Sequence, residues 1–180
     1  PGVVLQIQDD DGKPVAIGEP GEVCARAGNY MREYWNKPEA TTDAFRDGWY
    51  HTGDAGYLDE DGYLYLVDRV KDMIVTGGEN VYSVEVENAI ATYPGVAQVA
   101  VIGIPSAQWG EAVHAIVVPG DGVTLTEAEI VAHAKERIAG YKVPKSVEFR
   151  TEPLPLSGAM KILKRDLRAP YWEGHDRGVG

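Results

Sequence analysis

The chain has 180 residues, 44% of them apolar, and a formal charge of −11. That length allows one domain or two small ones, each with a core, and the 21 Gly and 11 Pro suit a turn-rich globular chain. The acidity argues against a nucleic-acid groove and an anionic membrane surface, which both need clustered cations, and no apolar run approaches the roughly 20 residues of a membrane-spanning helix.

Residues 3–7 read as a strand, 9–14 as an Asp/Gly/Pro turn and 22–27 as a second strand. Asn36 is expected to cap a short helix over 38–45, with Pro38 in its first turn. Residues 49–51 form a short strand ending in Thr52-Gly53-Asp54. Asp59-Glu60-Asp61-Gly62 is a hairpin turn between Tyr57-Leu58 and a strand over 63–67. Residues 70–75 form a short strand or ribbon broken at Gly77-Gly78. Ser83 stands where an N-cap belongs, followed by Glu85, Glu87 and an apolar face of Val86, Ala89 and Ile90. Residues 96–104 and 112–118 are apolar, β-branched strands. Thr126 and Glu129 spell a capping box for a helix with a stripe of Ile130, Ala134 and Ile138, which Gly140 ends. Residues 146–150 form a strand, 164–172 a last helix, and 174–180 a disordered tail. The expected class is α+β: a β-rich segment, 1–67, then a smaller α+β domain, 68–180.

The single Cys24 excludes an intrachain disulfide and a cysteine-based zinc site. His51, His114, His133 and His175 lack ligand spacing, so no metal site is expected. The Asp-Gly stretches at 9–12 and 59–62 lack the full ligand pattern of a calcium loop and read as turns. No Ser-His-Asp arrangement is present. The cytoplasm is the expected compartment, with no signal peptide visible. The chain begins at Pro1 and reads as part of a longer protein.

Three segments read, taken alone, as ordinary turns or a solvated loop, and each also offers a chemistry. Gly53-Asp54 can present a carboxylate to a sugar diol, since one carboxylate accepts from two hydroxyls. Gly77-Gly78 lets a ligand pass close to the backbone. The loop Pro155-Leu156-Ser157-Gly158-Ala159-Met160-Lys161 presents a mobile ammonium suited to phosphoryl charge.

Taken in order, several motifs resemble the C-terminal third of the acyl-adenylate-forming (AMP-binding) enzymes, in wording closest to fatty acyl-CoA synthetases. They are Tyr34-Trp35-Asn36-Lys37-Pro38-Glu39-Ala40-Thr41, Gly48-Trp49-Tyr50-His51-Thr52-Gly53-Asp54, Val67-Asp68-Arg69-Val70-Lys71-Asp72, Gly77-Gly78-Glu79-Asn80-Val81-Tyr82, Trp109-Gly110-Glu111 and Lys161-Ile162-Leu163-Lys164-Arg165. The likeness starts at Gly21-Glu22-Val23 and ends at Arg168. It implies a parent enzyme that joins a carboxylic acid to ATP, releasing pyrophosphate, and then passes the acyl group to CoA, releasing AMP.

On that likeness Asp54 binds the ribose, Arg69 contacts ribose or phosphate, and Lys161 reaches the α-phosphate. Lys71 is the hinge of a rotating small domain, and Thr76, Gly77 and Gly78 line the pantetheine tunnel. The co-substrates are ATP and CoA, with Mg2+ held mainly by an upstream part that also holds the phosphate loop and acyl pocket. The fragment alone is expected to be inactive. Aryl-CoA ligase and carrier-loading adenylation domain are the alternative enzymes, and an inert or partner-binding module, with room for a homodimer, the non-enzymatic one. Two departures stand out: Ser83 where the family often has Pro, and Met160 where many relatives have Gly.

Overall fold

The computed structural model describes residues 2–175. The expected tail at 176–180 lies outside them. The chain divides into two compact units, Pro1–Val70 and Lys71–Gly180, and crosses between them within a 3-10 turn, Val70–Asp72.

The first unit comprises β1 (Val4–Gln8), β2 (Gly21–Arg26), α1 (Pro38–Ala44), β3 (Phe45–Arg46), β4 (Trp49–Leu58) and β5 (Leu64–Arg69). All its strand pairs are antiparallel, in the order β1-β2-β4-β3 with β5 also on β4. Its core is thin: Ile7, Val23, Cys24, Ala25 and Ala55 are buried, beside a cluster of Tyr30, Phe45 and Tyr50 whose ring centroids lie 5.2–5.8 Å apart.

Two local expectations change here. Residues 49–58 are one long strand rather than a short one ending at Asp54, and Thr52-Gly53-Asp54 forms a bulge inside it. The N-cap of α1 is Lys37, not Asn36, and no side chain caps it. Lys37 precedes Pro38, which disfavours the helical region for it, so the helix starts after Lys37. Asn36 takes φ +52, the left-handed conformation that Asn tolerates.

The second unit comprises β6 (Ile74–Thr76), β7 (Glu79–Val81), α2 (Ser83–Ala91), β8 (Val96–Ser106), β9 (Gly110–Pro119), α3 (Glu127–Lys135), β10 (Ser146–Phe149) and α4 (Lys164–Arg168), then a 3-10 turn, Ala169–Trp172. The central strand is β9, antiparallel to β8 and parallel to β10. Strand alternation sends Val101, Val113, Ala115 and Val117 to one face, where Val86 and Ile90 of α2 and Ile130 and Ala134 of α3 cover them. It sends Ala100, Ile102, Ile116 and Val118 to the other, against Leu154 and Leu167. Both faces are buried, which is why β8 and β9 read as unbroken apolar runs.

The capping box of α3 is present, with Thr126 accepting from the Glu129 N–H and Glu129 accepting from the Thr126 N–H. That helix stops before Gly140, and Ile138 packs on the core from beyond its end. Ser83 does not cap α2, whose N-cap is Tyr82. Its buried hydroxyl accepts instead from the Lys164 ammonium at 2.7 Å, and the same ammonium lies 2.8 Å from Glu87. The expected last helix is split into α4 and the 3-10 turn at Pro170, which lacks the N–H that would continue it.

The turns at residues 9–13, 59–63 and 157–161 share one build. The first N–H donates to the fifth carbonyl, and the fourth N–H donates to the first carbonyl. The fourth residue is left-handed, as in a three-residue hairpin loop with a bulge. That residue is Gly12 (φ +75) and Gly62 (φ +81) in two of them and Met160 (φ +60) in the third.

Candidate functional site

The Thr52-Gly53-Asp54 bulge is visible in the strand register. Glu22 pairs with Ala55 and Cys24 with His51, so Val23 alone faces three residues of β4. Gly53 takes φ +71, which only a residue without Cβ adopts freely. The bulge turns Asp54 away from β2 and places it opposite Arg69 of β5. Arg69 Nε lies 2.9 Å from Asp54 Oδ1, with the two side chains 52% and 33% exposed. An ion pair that open contributes at most about 1 kcal/mol to stability. Its effect is to orient the carboxylate, leaving Oδ2 and the remaining lone pairs of Oδ1 for hydroxyl donors.

A buried polar cluster backs the bulge. Glu22 Oε1 accepts the Gly53 N–H at 3.1 Å. Glu22 Oε2 lies 2.8 Å from His51 Nδ1 and 3.1 Å from Arg46 Nη2. A carboxylate can only accept, so the His51 proton sits on Nδ1; the Cys24 thiol is 3.4 Å from the same nitrogen. Burial, with the Glu22 charge beside it, pushes that thiol up to about 12. The Thr52 hydroxyl donates to the Val23 carbonyl and accepts the Asp54 N–H. Sequence reasoning missed this cluster. Glu22 entered as the start of a strand and of the likeness, and His51 within a motif and among histidines without ligand spacing, with nothing to join the two.

In the second unit, Thr76 is buried at the end of β6 and pairs with Glu79 and Gly110. Between Thr76 and Glu79, Gly77 (φ +61) and Gly78 (φ +86) form a two-residue hairpin turn, both left-handed. The Gly77 N–H donates to the Trp109 carbonyl at 2.8 Å, and a Cβ on Gly77 would stand 3.0 Å from the Trp109 ring. A Cβ on Gly78 would meet no atom of the chain, so only its φ calls for glycine there. Trp109, quoted as a motif letter alone, is thus the floor of this turn.

Lys161 closes the strained turn at 157–161. Its carbonyl accepts the Ser157 N–H at 2.8 Å, its N–H donates to Ser157 Oγ at 3.2 Å, Leu156 bridges Ile162, and the Leu163 N–H donates to the Pro155 carbonyl at 2.8 Å. Its side chain is exposed and joins no ion pair among the described residues. Lys71 follows Val70 at the junction of the units, and its carbonyl accepts from the buried Arg168 guanidinium at 3.2 Å. Asp54 and Arg69 are therefore brought together in one unit. Thr76, Gly77 and Gly78 form one turn in the other, and Lys161 stands on a separate turn there.

Residues 85–161, from the first turn of α2 to Lys161, match the model of the AMP-binding enzyme C-terminal domain. The chain belongs to the AMP-binding, acyl-adenylate-forming enzymes. Relatives extend the match over the first unit. The chain is 51% identical over 93% of its length to a feruloyl-CoA synthase of Amycolatopsis sp, and 50% identical over 93% to a long-chain-fatty-acid–CoA ligase of Mycobacterium tuberculosis. An ATP-bound crystal structure of MatB from Rhodopseudomonas palustris superposes with a TM-score of 0.85 at 39% identity, over 98% of this chain. The chain spans about a third of each (34%, 33% and 35%). Among the described residues, no helix is long and apolar enough to cross a membrane.

Proposed function

We propose that these residues are the C-terminal portion of an ATP-dependent acyl-CoA synthetase. A carboxylic acid oxygen attacks the α-phosphorus of ATP, the bond to the β-phosphate breaks, and pyrophosphate leaves. The CoA thiol then attacks the acyl carbon of the adenylate, and AMP leaves. The observation that carries this reading is the bulge: an oriented carboxylate paired to an arginine, in a chain about half identical to CoA ligases over 93% of its length.

In this reading Asp54 accepts the ribose hydroxyls through both half-reactions, with Arg69 beside it. Lys161 offsets the charge that builds between two anions as the adenylate forms, as a fixed ammonium does well. The Gly77-Gly78 turn, floored by Trp109, offers a face without side chains to the pantetheine arm of CoA. Lys71 is the hinge, at the junction where the second unit begins. Mg2+ accompanies ATP in such reactions and prefers oxygen ligands in octahedral array. The grouped donors among the described residues, Glu22, Cys24 and His51, bring a thiol and an imidazole and do not fit it.

The acid has two readings. The ligase of M. tuberculosis, at 50% identity, favours a fatty acid, and the feruloyl-CoA synthase, at 51%, favours an aryl acid. The test is pyrophosphate release by the intact enzyme carrying this chain, with fatty acids of graded length and hydroxycinnamic acids as arms. Acid-dependent release followed by CoA thioester supports the proposal, and the preferred arm selects the acid. Release with no acid dependence, or adenylate that never passes to CoA, contradicts it. The 180 residues alone should release none, since no Gly-rich phosphate cradle lies in their sequence.

A further inference from the structure

The first unit buries a carboxylate that the proposed nucleotide contacts do not use. Glu22 is 16% exposed and receives three donors: the Gly53 N–H on one oxygen, His51 Nδ1 and the Arg46 guanidinium on the other. All three come from the segment that enters or forms the bulge. The bulge itself creates the need. With three residues of β4 facing Val23 alone, Gly53 has no register partner on β2, and an unmade hydrogen bond away from water is costly. Glu22 Oε1 supplies the acceptor, and Thr52 does the same for the Val23 carbonyl. Asp54 is the next residue along.

We propose that Glu22 is the positioning residue of the nucleotide-binding bulge, holding Asp54 in its ribose-binding geometry through the Gly53 N–H and the His51 ring. This rests on Asp54 as the ribose ligand. A metal centre at Glu22, Cys24 and His51 is the competing use of the same atoms, which lie within 4.8 Å of one another. It is disfavoured because both oxygens of Glu22 already accept N–H groups, one from a cation.

The length of the side chain, not its charge, decides the test. Glu22→Gln keeps an oxygen at the reach of Gly53, whereas Glu22→Asp keeps the charge and falls one methylene short. In the intact enzyme, Glu22→Asp and Glu22→Ala should raise the KM for ATP about tenfold, and Glu22→Gln should recover part of that: its carbonyl still accepts the Gly53 N–H, while its amide NH2 faces the donors His51 Nδ1 and Arg46. A role limited to neutralising Arg46 would give the reverse order. Because Glu22 acts through Asp54, the double variant Glu22→Asp/Asp54→Ala should be no worse than Asp54→Ala. In the 15N-labelled 180-residue chain, the Gly53 amide proton should shift upfield in Glu22→Asp and stay in Glu22→Gln, a readout that needs no catalysis.

Asp54→Ala without effect on ATP use would sink the ribose reading and leave the Gly53 shift to report on the bulge. An impaired Asp54→Ala beside an unimpaired Glu22→Asp, additive losses, or Zn2+ binding that Cys24→Ala abolishes would overturn the positioning role.

Discussion

The bulge at residues 52–54 and the turn at residues 157–161 carry the two charges that the proposed function assigns to the nucleotide, and they are built in opposite ways. The bulge is bolted. Glu22, Thr52 and Arg69 each bind it, and the carboxylate of Asp54 has one partner before any ligand arrives. The turn is held by its own backbone, exposes its lysine, and keeps a side chain at a position where the two sister turns keep glycine. The thin-cored first unit spends buried polar groups on its site; the second, with an apolar core on both faces of its sheet, presents its site residues on surface turns. The contrast fits the chemistry proposed. A ribose contact serves both half-reactions and gains from rigidity, while an ammonium needed for one step gains from an accessible mount.

The largest expected effect is at Lys161. Lys161→Ala should slow acyl-adenylate formation by about 10²–10³-fold, the usual cost of one preorganised charge donor, read from single-turnover pyrophosphate release. A loss below threefold would break the contrast at its second member.

Asp54→Ala should cost about 1.5–3 kcal/mol, or one to two decades, the scale of a hydrogen bond to a charged group. With the ribose as its proposed ligand, the loss should appear with every acid tested. A loss confined to one acid would move Asp54 from the nucleotide to the acyl site.

Next is the strain in the Lys161 turn. Gly62→Met puts a side chain on a left-handed residue of a sister turn and should cost about 1–2 kcal/mol. Met160→Gly relieves the same strain at some cost in unfolded-state entropy and should stabilise by less than about 1 kcal/mol. Urea melts of both variants check this, and a destabilised Met160→Gly would show that the methionine earns its place by contacts rather than enduring strain.

The smallest effect is a pH dependence in the second unit. His114 is buried between Ser146 Oγ at 2.7 Å and the Tyr171 hydroxyl at 3.1 Å, near Glu148, Arg150 and Glu127. Burial lowers its pKa from the ordinary 6.5, only partly opposed by the Glu148 charge. The unfolded chain therefore binds a proton that the fold refuses. Stability is full above about 6.5 and falls as pH drops through that value toward the lowered one. His114→Gln should flatten this slope in urea melts between pH 7.5 and 5.5; an unchanged slope would assign it elsewhere.

Much of this was legible in the sequence, for local reasons. The α3 capping box, the Asp-Gly turns and the apolar runs of β8 and β9 each depend on residues a few positions apart, or on burial that their composition declares. The bulge was not, because the acceptor of its Gly53 N–H is Glu22, 31 residues away, and a polar residue in a strand carries no mark of its partner. Ser83 had the residue type of a cap, and its bond to Lys164 spans 81 positions. Likewise Pro155 and Gly158 read as a flexible loop, since the hydrogen bonds that close it leave no trace in composition.

The most direct measurement is thioester formation from synthetic acyl-adenylate and CoA, bypassing the first step, in Lys161→Ala and Asp54→Ala of the intact enzyme. The account predicts a rate within about twofold of wild type for Lys161→Ala, because no charge builds on the α-phosphate between two anions, and a loss of about one to two decades for Asp54→Ala, because the ribose is still to be held. Equal losses in the two variants, or a larger one at Lys161, would contradict it.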